Sequence, residues 1–210
     1  MIPKKSLGQN FLIDKNIVRK ILNEADITNN NIIEIGPGLG ALTEYIIEYN
    51  PKKLIVIEKD LNLYKKLLKK FDNKKIIILN EDALFFDYSK FMNFNIIANL
   101  PYNISSKLLL RIIKLNKNIS KVICMIQAEL ANKFDYNNGK MNKYKFTTEY
   151  CSNFEILFGV SPNVFYPKPK INSKVVKFKL KKKLINNDKL NYFTRNFFLN
   201  KRKKIKSNKI

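Results

Sequence analysis

The sequence predicts a doubly wound α/β fold, and three observations carry that prediction. Five short, nearly continuous apolar runs alternate with helical patterns through the first two thirds of the 210 residues. Strands apolar on both faces belong to a parallel sheet covered on both sides by helices. A glycine-rich turn follows the first full strand, where open α/β sheets receive ligands. After residue 150 the pattern changes to two longer segments flanking a proline-rich turn, which read as paired edge strands.

The elements follow in order. Asp14 can cap a helix whose Ile17, Val18, Ile21 and Leu22 form one stripe. Ile32–Ile35 is the first strand, followed by the glycine turn and a helix from about Leu39 to Tyr49. Leu54–Ile57 is the second, ending at Glu58, and the next helix sets Leu61, Tyr64, Leu67 and Leu68 on one face. Ile76–Leu79 and Asn95–Ala98 are the third and fourth strands. Ser105 or Ser106 caps a helix through Ile113, and Val122–Ile126 is the fifth strand. Asn153–Val160 and Lys174–Leu180 are the edge pair, and a lysine-rich tail from Lys181 surrounds a helix near Leu190–Leu199.

Composition narrows the chemistry. Hydrophobic residues make up 45%, with 15 Phe and 10 Tyr, enough for a real core. No apolar run approaches the roughly 18 residues of a spanning helix. Met1–Ser6 lacks the apolar stretch of a signal peptide, so the expected location is cytoplasmic, with no membrane partner. Cys124 and Cys151 sit in apolar or aromatic company and read as buried thiols. Histidine is absent, which removes most zinc sites, histidine triads and zinc deaminases, and no metal is expected. The net charge of +23 points to a polyanion, nucleic acid first. Only four of the 40 basic residues are arginine, consistent with drift in base composition, yet the 17 acidic residues are fewer than lysine drift alone requires.

The turn Glu34-Ile35-Gly36-Pro37-Gly38-Leu39-Gly40-Ala41 lets backbone approach a ligand and offers the next helix's N–H groups. Gly36, Gly38 and Ala41 also satisfy a dinucleotide fingerprint, with Glu58 22 residues beyond Gly36, so a nicotinamide enzyme stays open here. Glu58 can accept from two ribose hydroxyls, and Asp82, after the third strand, from an adenine amine. Convergence of three strand ends on one crevice favours an adenosine-type cofactor.

Asn99-Leu100-Pro101-Tyr102 follows the fourth strand and selects the reaction. The exocyclic nitrogen of adenine is a poor nucleophile because its lone pair is delocalised. A side-chain carbonyl at Asn99 and a backbone carbonyl at Leu100 or Pro101 can accept its two N–H bonds and turn the lone pair toward a sulfonium methyl. Tyr102 offers a ring for stacking, worth about 1–3 kcal/mol. Neither cysteine falls on an active-site turn, which sets aside cytosine-carbon methylation.

At these residues the chain resembles the KsgA family of ribosomal-RNA adenine dimethyltransferases. The resemblance runs through Leu7-Gly8-Gln9-Asn10-Phe11-Leu12, the glycine turn, Ile57–Asp60, Glu81-Asp82-Ala83, Asn99–Ser105, Gln127-Ala128-Glu129, Ser161–Lys170 and Asn200–Lys204. It implies a Rossmann-like S-adenosylmethionine-dependent methyltransferase with a mostly parallel seven-stranded sheet. Residues 1–180 would form that domain, with 1–13 an arm over the cofactor. Residues 181–210 would be a basic remnant of a helical C-terminal domain that is otherwise missing. It further implies that Asn10, Leu12, Gly36, Glu58, Asp82 and Asn99 hold S-adenosylmethionine, and that Phe165 stacks on the target adenine opposite Tyr102. The implied product is two adjacent dimethyladenosines near the 3′ end of small-subunit rRNA, made on an immature small subunit by a monomer. Lys181–Lys183 and Lys201–Lys206 are candidates for RNA docking. The alternatives are a large-subunit rRNA methyltransferase of the macrolide-resistance type and a non-catalytic assembly factor binding pre-ribosomal RNA. A nicotinamide oxidoreductase is disfavoured, because it gives Asp82 and Asn99–Tyr102 no role.

Overall fold

A computed structural model describes residues 8–72, 75–182 and 186–199. A short strand β1 (Phe11–Leu12) precedes α1 (Lys15–Asn23), β2 (Asn31–Ile35), α2 (Ala41–Glu48), β3 (Lys53–Ile57), α3 (Leu61–Lys70), β4 (Ile76–Leu79), β5 (Phe94–Asn99) and α4 (Ser105–Ile112). Then come β6 (Ile119–Gln127), α5 (Ala128–Phe134), α6 (Lys143–Cys151), β7 (Ser152–Val160), β8 (Phe165–Tyr166), β9 (Ser173–Leu180) and α7 (Asn187–Leu199). Seven strands form one sheet in the order β4-β3-β2-β5-β6-β9-β7. The first five are parallel, and β9 and β7 add antiparallel partners. This is the doubly wound, mostly parallel seven-stranded architecture the sequence predicts.

Period-two alternation builds two cores, one on each face of the sheet. Ile33, Ile35, Ile55, Ile57, Ile96 and Cys124 bury into one, and Ile32, Leu54, Val56, Ile97 and Ile123 into the other. Asp14 caps α1 as its position predicts, accepting from Asn16 N–H at 2.8 Å and Ile17 N–H at 3.1 Å. Asp60 caps α3 in the same way.

Four details differ from the sequence reading. The buried stripe of α3 is Leu63 and Leu67, while Leu61 and Leu68 are 50% and 43% exposed. The Asp60 cap fixes the first turn, and that rotation points the 63/67 pair inward. Helix α2 begins at Ala41 because Gly40 has φ +82° and stands outside the helix. Ser105 is the first residue of α4 and not its cap, and its hydroxyl donates to the Pro101 carbonyl at 2.7 Å. Strand β9 is interior, between β6 and β7, so of that pair β7 alone is an edge strand. Helices α5 and α6 and the ribbon strands β1 and β8 are not anticipated from the pattern.

Both cysteines are buried, and burial pushes the Cys124 thiol far up. Among the described residues no helix is long and apolar enough to cross a membrane. Helix α7 packs on the main core through Leu190, and Lys114 Nζ donates to its Asn191 side chain at 2.6 Å. Lys183 and Lys201–Lys206, expected to dock RNA, lie outside the described residues.

Candidate active site

The carboxyl ends of β2, β3 and β5 and the turn after β4 open onto one cleft of about 1060 Å³ including its mouth. Gly36, Gly38 and Gly40 all take left-handed φ values, +66°, +60° and +82°. The requirement is steric as well as conformational at two of them. A Cβ on Gly38 would stand 2.8 Å from the Phe11 ring, and one on Gly40 2.8 Å from the Phe71 ring.

Glu58 directly follows β3, beneath this turn. Its Oε1 accepts from Asp60 N–H at 2.8 Å and its Oε2 from Gly38 N–H at 3.3 Å. Burial raises its pKa, and those two N–H groups work against the rise. Deeper still is Glu34, with no exposed surface and no hydrogen-bond partner on either oxygen among the described residues. Burial above all pushes it up to about 8; Glu58 adds to the rise, and the neighbouring Thr43 opposes it. The Thr43 hydroxyl and N–H face the carboxyl closely enough to oppose the rise, yet neither Glu34 oxygen makes a well-formed hydrogen bond.

Asp82 follows β4. Its Oδ1 accepts from Leu84 N–H at 2.9 Å and its Oδ2 pairs with Lys59 Nζ at 2.8 Å. Partial burial works against ionisation there, but Lys59 and the Leu84 N–H outweigh it and hold the carboxyl below its ordinary range. The turn carrying Asp82 is braced by Arg111 of α4. Its guanidinium donates to the carbonyls of Ala83 (3.3 Å), Leu84 (2.9 Å) and Phe86 (2.7 Å) and lies 5.2 Å from the Tyr88 ring centre. Lysine lacks that planar fork. Arg111→Lys is therefore expected to cost about 2 kcal/mol, lowering Tm by roughly 4–8 °C in thermal unfolding. An unchanged Tm would show the brace to be dispensable.

Asn99 closes β5, and its Nδ2 donates to the Asn10 carbonyl at 3.1 Å. That bond fixes the amide orientation, leaving Oδ1 as the acceptor on the opposite edge. The Pro101 carbonyl is committed to the start of α4, accepting from the N–H groups of Ile104 and Ser105 and from the Ser105 hydroxyl. The Leu100 carbonyl is thus the better candidate for a second acceptor. The Tyr102 hydroxyl is 2.7 Å from Ser173 Oγ, which pins the ring to the start of β9. Burial raises its pKa against that hydrogen bond.

The N-terminal arm lies across this cleft. Phe11 and Leu12 pair antiparallel with Tyr166 and Phe165, and Ile13 N–H donates to the Val164 carbonyl at 2.9 Å. Asn10, Leu12, Gly36, Glu58, Asp82, Asn99, Leu100, Pro101 and Tyr102 all line the cleft. Phe165 does not. It is 3% exposed and packs in the core beside Leu12, so the ring expected to stack on a base offers no free face. The β1–β8 ribbon alternates, and with Phe165 turned inward its neighbour Tyr166 is 60% exposed. Phe11 and Arg111 were not singled out from sequence. Arg111's scarcity, one of four arginines, was the only signal for it. Among the described residues no group of three or more His, Cys, Asp or Glu side chains can hold a metal ion.

The family model for ribosomal RNA adenine dimethylase matches residues 3–210. The ribosomal RNA small subunit methyltransferase A of Mesomycoplasma hyopneumoniae is 40% identical across 100% of this chain and 82% of its own length. That of Pelagibacter ubique is 38% identical across 97% and 81%. Among solved structures, a dimethyladenosine transferase from Plasmodium falciparum superposes with a TM-score of 0.81 at 26% identity, covering 93% of this chain and 73% of that one. The 23S rRNA methyltransferase ErmE superposes at 0.76 and 23% identity over 88% and 76%, a likeness of fold.

Proposed function

Because the chain belongs to the ribosomal RNA adenine dimethylase family, we propose that it dimethylates the N6 amine of two adjacent adenosines near the 3′ end of small-subunit rRNA. It is an S-adenosylmethionine-dependent rRNA adenine methyltransferase. The finer target rests on relatives carrying the small-subunit name, and the working form is taken as a monomer acting on an immature small subunit.

One observation carries the chemistry. Asn99, its amide turned by the Asn10 carbonyl, opens onto the same cleft as Glu58 and Asp82. The donor fits this chain's residues: a glycine turn in left-handed backbone with two of its three Cβ positions blocked, and carboxylates at two adjacent strand ends. The bound donor supplies a methyl group activated by a positive sulfur. Glu58 has lone pairs left for ribose hydroxyls, and Asp82 accepts from the donor's adenine amine. Asn10 and Leu12 close over the donor from the arm. Asn99 Oδ1 and the Leu100 carbonyl accept the two N–H bonds of the target amine and direct its lone pair at the methyl. Tyr102, held by Ser173, supplies the stacking face. Orientation does most of the work, and the methylated amine releases its proton to water, which needs no histidine.

Incubation with methyl-labelled donor and unmethylated small ribosomal subunits, followed by nuclease mapping, tests the reading. Label should appear on adjacent adenosines near the small-subunit 3′ end. Label on large-subunit RNA would replace the target, and bound RNA without label would support the assembly-factor alternative.

A further inference from the structure

The loop from residue 161 to 172 joins β7 to β9 at the cleft end of the sheet. Ser173 pairs there with Val160 on one side and with Gln127, at the carboxyl end of β6, on the other. Its middle reads Tyr166-Pro167-Lys168-Pro169-Lys170, and exposure alternates along it. Tyr166, Lys168 and Lys170 are exposed, and Pro167 and Pro169 are half-buried. The prolines fix their own φ angles, so the segment has little freedom to lose on binding. Among the described residues neither lysine has an ion pair, although the chain pairs several others with carboxylates.

Tyr166 is placed by register. It lies opposite Phe11, and directly opposed residues of an antiparallel pair share a face. Phe11 and its neighbour Leu12 both line the cleft, so the ribbon borders it, and Tyr166 stands exposed at that border, outside the cleft lining. The loop's far end is tied to the catalytic turn through Ser173 and Tyr102. An exposed aromatic followed by two unpaired cations on a stiff backbone is the combination that binds single-stranded nucleic acid: a stacking face and charges that follow the phosphates.

We infer that Tyr166, Lys168 and Lys170 form a track for the single-stranded RNA beside the target adenine. Tyr166 stacks on the base of the flanking nucleotide. Lys168 and Lys170, at most about 7 Å apart along the chain, hold its phosphates. This track rests on the reaction assigned above and gives the flanking base to Tyr166, the exposed member of the Phe165–Tyr166 pair.

The test measures the full chain's affinity for small-subunit rRNA over a salt series, beside its affinity for S-adenosylmethionine. Tyr166→Ala should weaken RNA binding about tenfold, with donor affinity unchanged, and Tyr166→Phe should restore it. Lys168→Gln with Lys170→Gln should reduce the slope of log affinity against log salt by about 1.4, a change that loss of a merely structural contact does not produce. RNA affinity and salt slope equal to those of the unaltered chain in all variants would overturn the track. Failure of the reaction is separable: an unaltered chain that binds RNA through these residues but transfers no methyl group would sink the reaction and leave the track standing.

Discussion

Asn99→Ala is expected to lower the rate of methyl transfer by at least two to three orders of magnitude, the range found when one preorganised hydrogen-bonding group is removed from a catalytic site. Single-turnover assays with saturating donor and RNA should show the loss in the chemical step while RNA remains bound. The side chain does two things at once. Its Oδ1 is the proposed acceptor for the target amine, and its Nδ2 holds the Asn10 carbonyl of the arm at 3.1 Å. Asn99→Asp separates these roles. It keeps an acceptor but sets a carboxylate oxygen against the Asn10 carbonyl, so the arm should be repelled and donor affinity should fall along with rate. Transfer by Asn99→Ala at more than about a tenth of the normal rate would rule out the proposed role of this amide.

The second large effect is on stability and comes from Glu34. Burial, only partly offset by Thr43, pushes its carboxyl up to about 8 in the folded chain, against 4.5 for an ordinary glutamate. The folded state therefore holds a proton that the unfolded chain releases between those values. Its contribution to stability is fully present below pH 4.5 and is lost as pH rises through 8. Within that window the decline approaches about 1.4 kcal/mol per pH unit. Glu34→Gln, which keeps the shape and cannot ionise, should remove this component. Denaturant unfolding from pH 5 to 9 should show the variant with the flatter profile and the greater stability at the alkaline end. Parallel profiles for the two proteins would mean that Glu34 finds a partner and is already ionised.

The salt bridge between Lys59 and Asp82 belongs to another class. Lys59 is well exposed, so its contribution to stability is screened. Its weight lies in keeping Asp82 ionised and oriented at the cleft.

Much of the site was legible because it is written in local chemistry. Glycines at 36, 38 and 40 are demanded by a left-handed turn, carboxylates end adjacent strands, and Asn99–Tyr102 follows a strand that can only point at the same crevice. A parallel sheet makes these separate signals add, since every strand end then faces one edge. The two cysteines were legible for the same reason, through apolar neighbours.

Phe165 shows where that reasoning stops. Its neighbours along the chain do not say which of two adjacent aromatics faces the solvent. That depends on pairing with an arm about 150 residues away, and a shift of one residue in register exchanges inside for outside. The face of α3 depended likewise on its cap, and Arg111 gained its meaning from three carbonyls of a turn 25 to 28 residues away. The sequence by itself determined the alternation of strands and helices, the glycine turn and the types of group around the cleft, because those follow from periodicity and backbone stereochemistry. Only the tertiary structure decided which ring is buried, which carbonyl is already taken and how the Asn99 amide is turned, because each of these is settled by contact between segments remote along the chain.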